Sequence, residues 1–476
     1  MDWVEIPTTS SRRSAHPVIW PHKLFRSLYS NRREWFDRYI SGPPGAALEY
    51  WQQIRGLDFM RRHPVLREGI WPRAIPIGMH GDAGAFNKHE SLLVLSWNSL
   101  LGFGNTRRKR FVFTFLKKSE CKKETLDALM RLFAWSVNVM LDGVCPDSGE
   151  PLADGWRGCL CQIRGDWQWY CELFRFPAWN SAERMCWICA ASATIAALLF
   201  KKCSDTAGWR STRVSHEEYV AGLEEIGADL PSLFKHVVGL RIECVVIDAL
   251  HALDLGEAGH IIGNILWDSI KTRKWGGRNQ DANIDLLEAD LRSWEKRVKA
   301  PTRLQVTLSV ARMRCSSGYP KLKTKGAQTR HLAPYALTVA QRFSLGTTYD
   351  KMKIAVAQLL CKLYNIMASS SQFMTPAALA EFRSTGQRMV LLHSKMHADA
   401  FERGERMWKF PPKAHLIDHM VSYQASEWGN PSYSWCYGDE DLVGQCIEIA
   451  SSCHPKTCNI TALIKWLVLS FDRDED

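Results

Sequence analysis

Asp82 and Asp166 each follow a glycine at the end of a stretch that reads as a β-strand, in RAIPIGMHGD and GCLCQIRGD. Carboxylates on rigid strand ends are hard oxygen ligands, and two held side by side suit a divalent cation such as Mg2+ or Mn2+. Two such ions, about 4 Å apart, can activate an attacking oxygen and stabilise a leaving one in an in-line phosphoryl displacement. That chemistry needs a third acid from elsewhere in the chain. Gly-Asp is also ordinary turn chemistry after a strand, so either pair alone says little. Their weight comes from the topology that relates them.

Other residues carry chemistry of different kinds. Cys186 and Cys189 in MCWIC have the spacing that lets two thiolates meet one zinc. A closed site then needs two more ligands, for which Cys203, His216, His236 and His251 are candidates. Two buried structural cysteines are the alternative. Asp248, His251 and Asp254 lie in VVIDALHALD, with Asp248 ending another strand-like run near the Asp166 edge. His415 and His419 in FPPKAHLIDHM share a helical face, but the glutamate of a zincin helix is absent, which argues against a metalloprotease. With Lys413 they are expected to line a groove or pack. Asp439, Glu440 and Asp441 open a helix, where acids also suit the dipole. Lys321, Lys323, Lys325, Arg330 and His331 form a basic loop in YPKLKTKGAQTRH.

The elements that must position these residues follow from periodicity. Ile75, Ile77 and Met79 alternate as a strand requires. Residues 91–97 and 110–116 are further β-rich runs, the latter with Phe111, Phe113 and Phe115 on one face. Residues 123–142 place Leu126, Leu129, Met130, Phe133, Val137 and Met140 at helical spacing, and Gly143 stops the helix. Residues 156–164 and 240–248 are the fourth and fifth strand candidates. A helical crossover is how a chain lays a later strand parallel to an earlier one, so both Gly-Asp pairs are expected at one sheet edge. The order β-β-β-α-β-α-β is that of a ribonuclease-H-like fold. Pro76 resists it, because a central strand rarely tolerates proline; either pairing starts after Pro76 or the strand is bulged there.

The fold class is therefore α/β, a ribonuclease-H-like mixed-sheet core interrupted by a large all-α insertion. Residues 1–73 read as an N-terminal helical arm and 74–254 as the first part of the core. Residues 255–431 read as the helical insertion, and 432–476 as C-terminal helices that complete the core. The apolar run 185–200 reads as a buried helix, too short to span a bilayer.

Length and composition bound the rest. At 476 residues two or three domains are expected, and the charged and apolar fractions exclude wholesale disorder. A net charge of +11 is compatible with a polyanionic partner without demanding one. The fifteen cysteines are scattered, and the first residues lack the apolar core of a signal peptide, so a reducing, intracellular compartment is expected. Many of the twenty tryptophans are expected to fill cores or line grooves.

With these residues in view, the chain resembles cut-and-paste DNA transposases of the CACTA (En/Spm-like) superfamily. The matches are Asp82 in HGDAGAF, Asp166 in IRGDW, Cys186 and Cys189 in CWIC, Asp248 to His251 in DALH, and Glu440 in WCYGDED. The correspondence spans residues 74–470 and is one of order and spacing. The family's Phe before the third acid is Asp439 here, so Asp439 and Asp441 stand as alternates to Glu440, and Asp248 as a further one. The resemblance implies an Asp82–Asp166–Glu440 triad holding Mg2+, hydrolysis at transposon ends and strand transfer into target DNA. It further implies a structural Zn2+ at Cys186, Cys189 and His251, a homo-oligomer and a nuclear location. DNA would be gripped by Lys321, Lys323, Lys325, Arg330 and Lys413, and distorted ends could stack on Trp167 and Trp169, although core packing is the plainer role for both. A ribonuclease-H-like nuclease that cuts without joining would use the same acids. A catalytically inactive nucleic-acid-binding descendant would keep the fold without their convergence.

Overall fold

The first elements are a two-stranded antiparallel ribbon, β1 (Asp2–Ile6) and β2 (Ser14–Val18), where the sequence pattern suggested only helix. The computed structural model describes residues 1–102 and 104–471. The chain folds into two compact units. One comprises Met1–Phe176, Val214–Val246 and Cys436–Asp476; the other comprises Pro177–Arg213 and Ile247–Trp435.

The first unit is built on a four-stranded sheet of β3 (Ala74–Ala85), β4 (Ser91–Ser99), β5 (Arg110–Lys117) and β6 (Arg157–Arg164), in the order β5-β4-β3-β6. The three meander strands pair antiparallel, and β6 pairs parallel with β3. The helix Lys123–Asp142 makes the crossover, stopped as expected by Gly143 at φ 69°. Pro76 is accommodated in both of the ways proline allows. Pairing of β3 with β4 begins after it, at Ile77, and on the β6 side the register shifts between Ile77 and Gly78.

Two expected elements do not form. Residues 240–248 are not a strand: a 3-10 turn occupies Ile242–Cys244, and only Val245 bridges, in parallel, to Ile163. Side chains take the backbone groups that a ladder would need: His216 Nδ1 accepts the Ile242 N–H at 3.2 Å, the Tyr170 hydroxyl donates to the Val246 carbonyl at 2.6 Å, and the Gln424 amide binds both the N–H and the C=O of Ile247. Residues 185–200 are not a helix either. The Ser192 hydroxyl accepts the backbone N–H groups of Thr194 and Ile195 at 3.0 and 2.9 Å, an alternative to helical hydrogen bonding.

The second unit is helical, apart from the irregular 177–213 stretch. Its long helices Thr348–Ser369 and Pro376–Glu402 pack together, each opened by a threonine whose hydroxyl accepts a backbone N–H from the first turn. No described helix is long and apolar enough to cross a membrane.

Candidate functional site

Register places the two aspartates of the sheet. The last parallel pair of β3 and β6 is His80 with Arg164. Asp82 lies two residues further along β3, which does not end there as expected but runs on to Ala85, and Asp166 lies two residues past the end of β6, at the start of the next helix. Both residues thus follow the last β3–β6 pair, toward the same end of the sheet. The glycines before them are there for packing. A Cβ on Gly81 would sit 2.7 Å from Trp169 Cε2, and one on Gly165 would sit 3.1 Å from Trp169 Cγ, so the indole occupies the space over both strand ends. Trp167 and Trp169 are both buried, which fits core packing. Asp166 also accepts the Trp169 backbone N–H at 2.7 Å, capping the helix Trp167–Phe174 and fixing its own orientation.

The opposite face of β3 is covered by the helix Tyr437–Ser451. Gly84 leaves room for it: a Cβ there would meet Ile447 Cδ1 at 3.1 Å and Val443 Cγ1 at 3.6 Å. Near the start of that helix, Asp439 is within electrostatic reach of His80. His80, Asp82 and Gly84 alternate onto one strand face, while Glu440, Val443 and Ile447 follow one helical face at spacings of three and four. Asp82 is thus on the strand face that this helix covers at Gly84, and Glu440 is on the helical face of Val443 and Ile447.

The adjacent acids have different environments. Asp439 is buried, and its Oδ1 accepts from Arg110 Nε at 2.8 Å and Arg164 Nη2 at 3.1 Å. Burial alone would raise its pKa, but Arg110 and then Arg164 outweigh that and hold the carboxyl well below the usual carboxylate range. Asp439 is thus committed to a structural ion cluster and is set aside as the third ligand. Gly438 is part of the same arrangement, because a Cβ there would overlap the Arg110 guanidinium. Asp441 is exposed and accepts from Gln445 Nε2 at 3.0 Å. Glu440 is half-buried, like Asp82 and Asp166. His80 and Arg164 fall inside the HGDAGAF and IRGDW stretches without being marked by them, Arg110 lies in neither, and packing gives all three a role.

In the second unit, Asp248 is buried and accepts the backbone N–H groups of Leu250 and His251, each at 3.0 Å. His251 Nδ1 donates to the same carboxylate at 2.6 Å. Asp248 thereby caps the π-helical turn Leu250–Ala258. Arg330 donates to the buried Asp254 at 3.0 Å and stacks over Trp435. Lys321 and Lys413 are half-buried, whereas Lys323 and Lys325 are exposed. Of the five basic residues expected at a nucleic-acid surface, those two are the exposed ones.

Among the described residues, one set of three or more potential ligands has all its donor atoms within 4.8 Å of one another: Cys186, Cys189, His415 and His419. The cysteine pair thus meets the two histidines expected to line a groove or pack; Cys203, His216, His236 and His251 lie outside the set. The three acids Asp82, Asp166 and Glu440 do not form so tight a set, and a two-ion arrangement with a separation of about 4 Å spreads its ligands more widely.

No protein-family model matches the chain, and no curated protein is significantly similar to it. The functional reading therefore rests on geometry.

Proposed function

We propose that this chain is a metal-dependent enzyme of nucleic-acid strand cleavage and transfer, built on a ribonuclease-H-like core and related to the CACTA transposases. The observation that supports the reading is the register of β3 and β6, which pairs His80 with Arg164 two residues before Asp82 and Asp166, while the helix bearing Glu440 packs over β3. The sheet order β5-β4-β3-β6, extended by the parallel bridge from Val245 to Ile163, supports the ribonuclease-H-like assignment.

The donor set would suit a hard divalent cation: three half-buried carboxylates, Asp82 within β3, Asp166 capping the helix after β6 and Glu440 in the first turn of a helix. Mg2+ held there would supply Lewis acidity to a phosphodiester and its attacking oxygen. The chain's own residues do the positioning. Trp169 packs under both strand ends, and the Trp169 N–H orients Asp166. The Asp439–Arg110–Arg164 cluster anchors the first turn of the helix, and so the position of Glu440. Lys323 and Lys325 are available to phosphates in the solvent, which predicts salt-dependent binding.

The test is Mg2+-dependent nicking and strand transfer on DNA by the wild type and by Asp82→Ala, Asp166→Ala and Glu440→Ala, with Asp441→Ala as the control. Loss of activity in the first three alone supports the assignment. Undiminished activity in all three refutes it. Nicking without joining of precleaved ends assigns a nuclease in place of a transposase.

A further inference from the structure

Cys186 and Cys189 sit in an irregular loop, and His415 and His419 lie one turn apart on the helix Pro412–His419, more than 220 residues further along the chain. Cys189 Sγ is 3.2 Å from His415 Nε2 and 3.3 Å from His419 Nε2, and the two Nε2 atoms are 3.0 Å apart. All four side chains are buried. The edges of a tetrahedral Cys2His2 zinc site, as its bond lengths set them, are about 3.3 to 3.8 Å. The three distances among Cys189, His415 and His419 fall at or slightly inside that range, and all four donors lie within 4.8 Å of one another. The thiolate positions are supported by the backbone: the Ile188 N–H donates to Cys186 Sγ and the Ala191 N–H to Cys189 Sγ, each at 3.4 Å.

The imidazoles are aimed without help from their other nitrogens. Neither His415 Nδ1 nor His419 Nδ1 has a hydrogen-bond partner, and both rings pack edge-on against Trp209, with centroids 4.3 and 5.4 Å away. Packing alone therefore turns both Nε2 lone pairs toward the cysteines. Next to them Asp418, on the same helix, accepts from Arg210 Nη1 at 2.7 Å. The loop thus meets the helix through ligands, an indole and an ion pair at once.

We propose that Cys186, Cys189, His415 and His419 bind one Zn2+ that fastens the 177–213 stretch to the helices of its own unit. Nitrogen and sulfur donors in a tetrahedral set select zinc over the hard cations that suit the carboxylate edge. Four protein ligands with no exposed member leave no position for substrate, so the role is structural. Joining positions so distant in sequence would otherwise cost the loop-closure entropy of a very long segment. The proposal is independent of the strand-transfer reading, since none of its ligands belongs to the acidic edge.

Full-length protein, purified under reducing conditions, should carry one zinc per chain by elemental mass spectrometry. Exchange for Co2+ should yield the visible d–d bands of a tetrahedral site and a thiolate-to-cobalt charge-transfer band. Cys186→Ser and His419→Gln should each lose stoichiometric metal, while Cys203→Ser, at a buried cysteine outside the set, should keep it. Should the ligand variants fail to fold, the wild-type cobalt spectrum still decides. Wild type that takes up neither metal, or a cobalt spectrum without thiolate charge transfer, overturns the proposal. Equal metal content in the ligand variants overturns it too.

Discussion

Replacing Asp439 by asparagine separates a structural acid from a metal ligand one residue away. Asparagine keeps the shape of the side chain and an oxygen acceptor, but removes the charge that Arg110 and Arg164 face. Both guanidiniums are buried, 7% and 1% exposed, so water cannot take over as counterion. At an effective dielectric constant of 20, each close pair corresponds to about 4 kcal/mol of Coulomb energy. Part of that is offset by desolvation already incurred, and removing one partner of a buried pair costs about 3–5 kcal/mol. We expect Asp439→Asn to destabilise the first unit by that amount, and Asp441→Asn, at an exposed site, to change stability by less than about 0.5 kcal/mol. Urea unfolding followed by tryptophan fluorescence, with hydrogen exchange on peptides from β3 to β6, reads the difference. Adding Arg110→Met to Asp439→Asn should restore part of the loss by removing a charge left without its carboxylate. The sign with pH follows from the depressed pKa. The carboxylate's contribution is fully present above the ordinary carboxylate range and is lost only at more acidic pH, as the folded-state group protonates. An Asp439→Asn protein that is as stable as wild type, yet inactive in Mg2+-dependent cleavage, would refute the reasoning and make Asp439 a ligand.

Two further outcomes follow from local packing. Gly81→Ala should cost about 1–3 kcal/mol, because its Cβ must displace the buried Trp169 indole. Trp169→Leu in the same background should recover part of that loss in urea unfolding, and a neutral Gly81→Ala would show that the indole does not hold the strand ends. His16 is buried in β2 with Nε2 2.8 Å from Thr114 Oγ1, and burial lowers its pKa to about 4, against a smaller opposing pull from Glu120. The unfolded chain then binds a proton between about pH 6.5 and 4 that the folded chain refuses, so stability falls as pH drops through that window, by up to about 3 kcal/mol. Urea midpoints at pH 7 and 4.5 should differ less in His16→Gln than in wild type; an unchanged difference would remove His16 from the account.

The sheet was legible because its signals are local. Alternation at Ile75, Ile77 and Met79, the three phenylalanines of β5 and the helical spacing across Lys123–Asp142 each report one element, and a crossover helix implies a parallel return. That was enough to expect Asp82 and Asp166 at one edge. Local pattern misled where side chains compete for backbone groups, as Ser192 does within 185–200 and as His216 and Gln424 do at Ile242 and Ile247 within 240–248.

Which of three consecutive acids faces β3, and which histidines meet Cys186 and Cys189, had no local signature. Asp439, Glu440 and Asp441 are chemically alike in sequence, and only the docking of their helix buries one against Arg110 and Arg164, exposes another and leaves Glu440 half-buried. His415 and His419 showed helical spacing, but Cys189 reaches His415 across 226 residues, and no periodicity extends that far. Residue types and short-range spacing thus determined the strands, the crossover and the chemistry on offer. Which donors converge was decided only in the tertiary structure, because it depends on contacts whose partners are far apart in the chain.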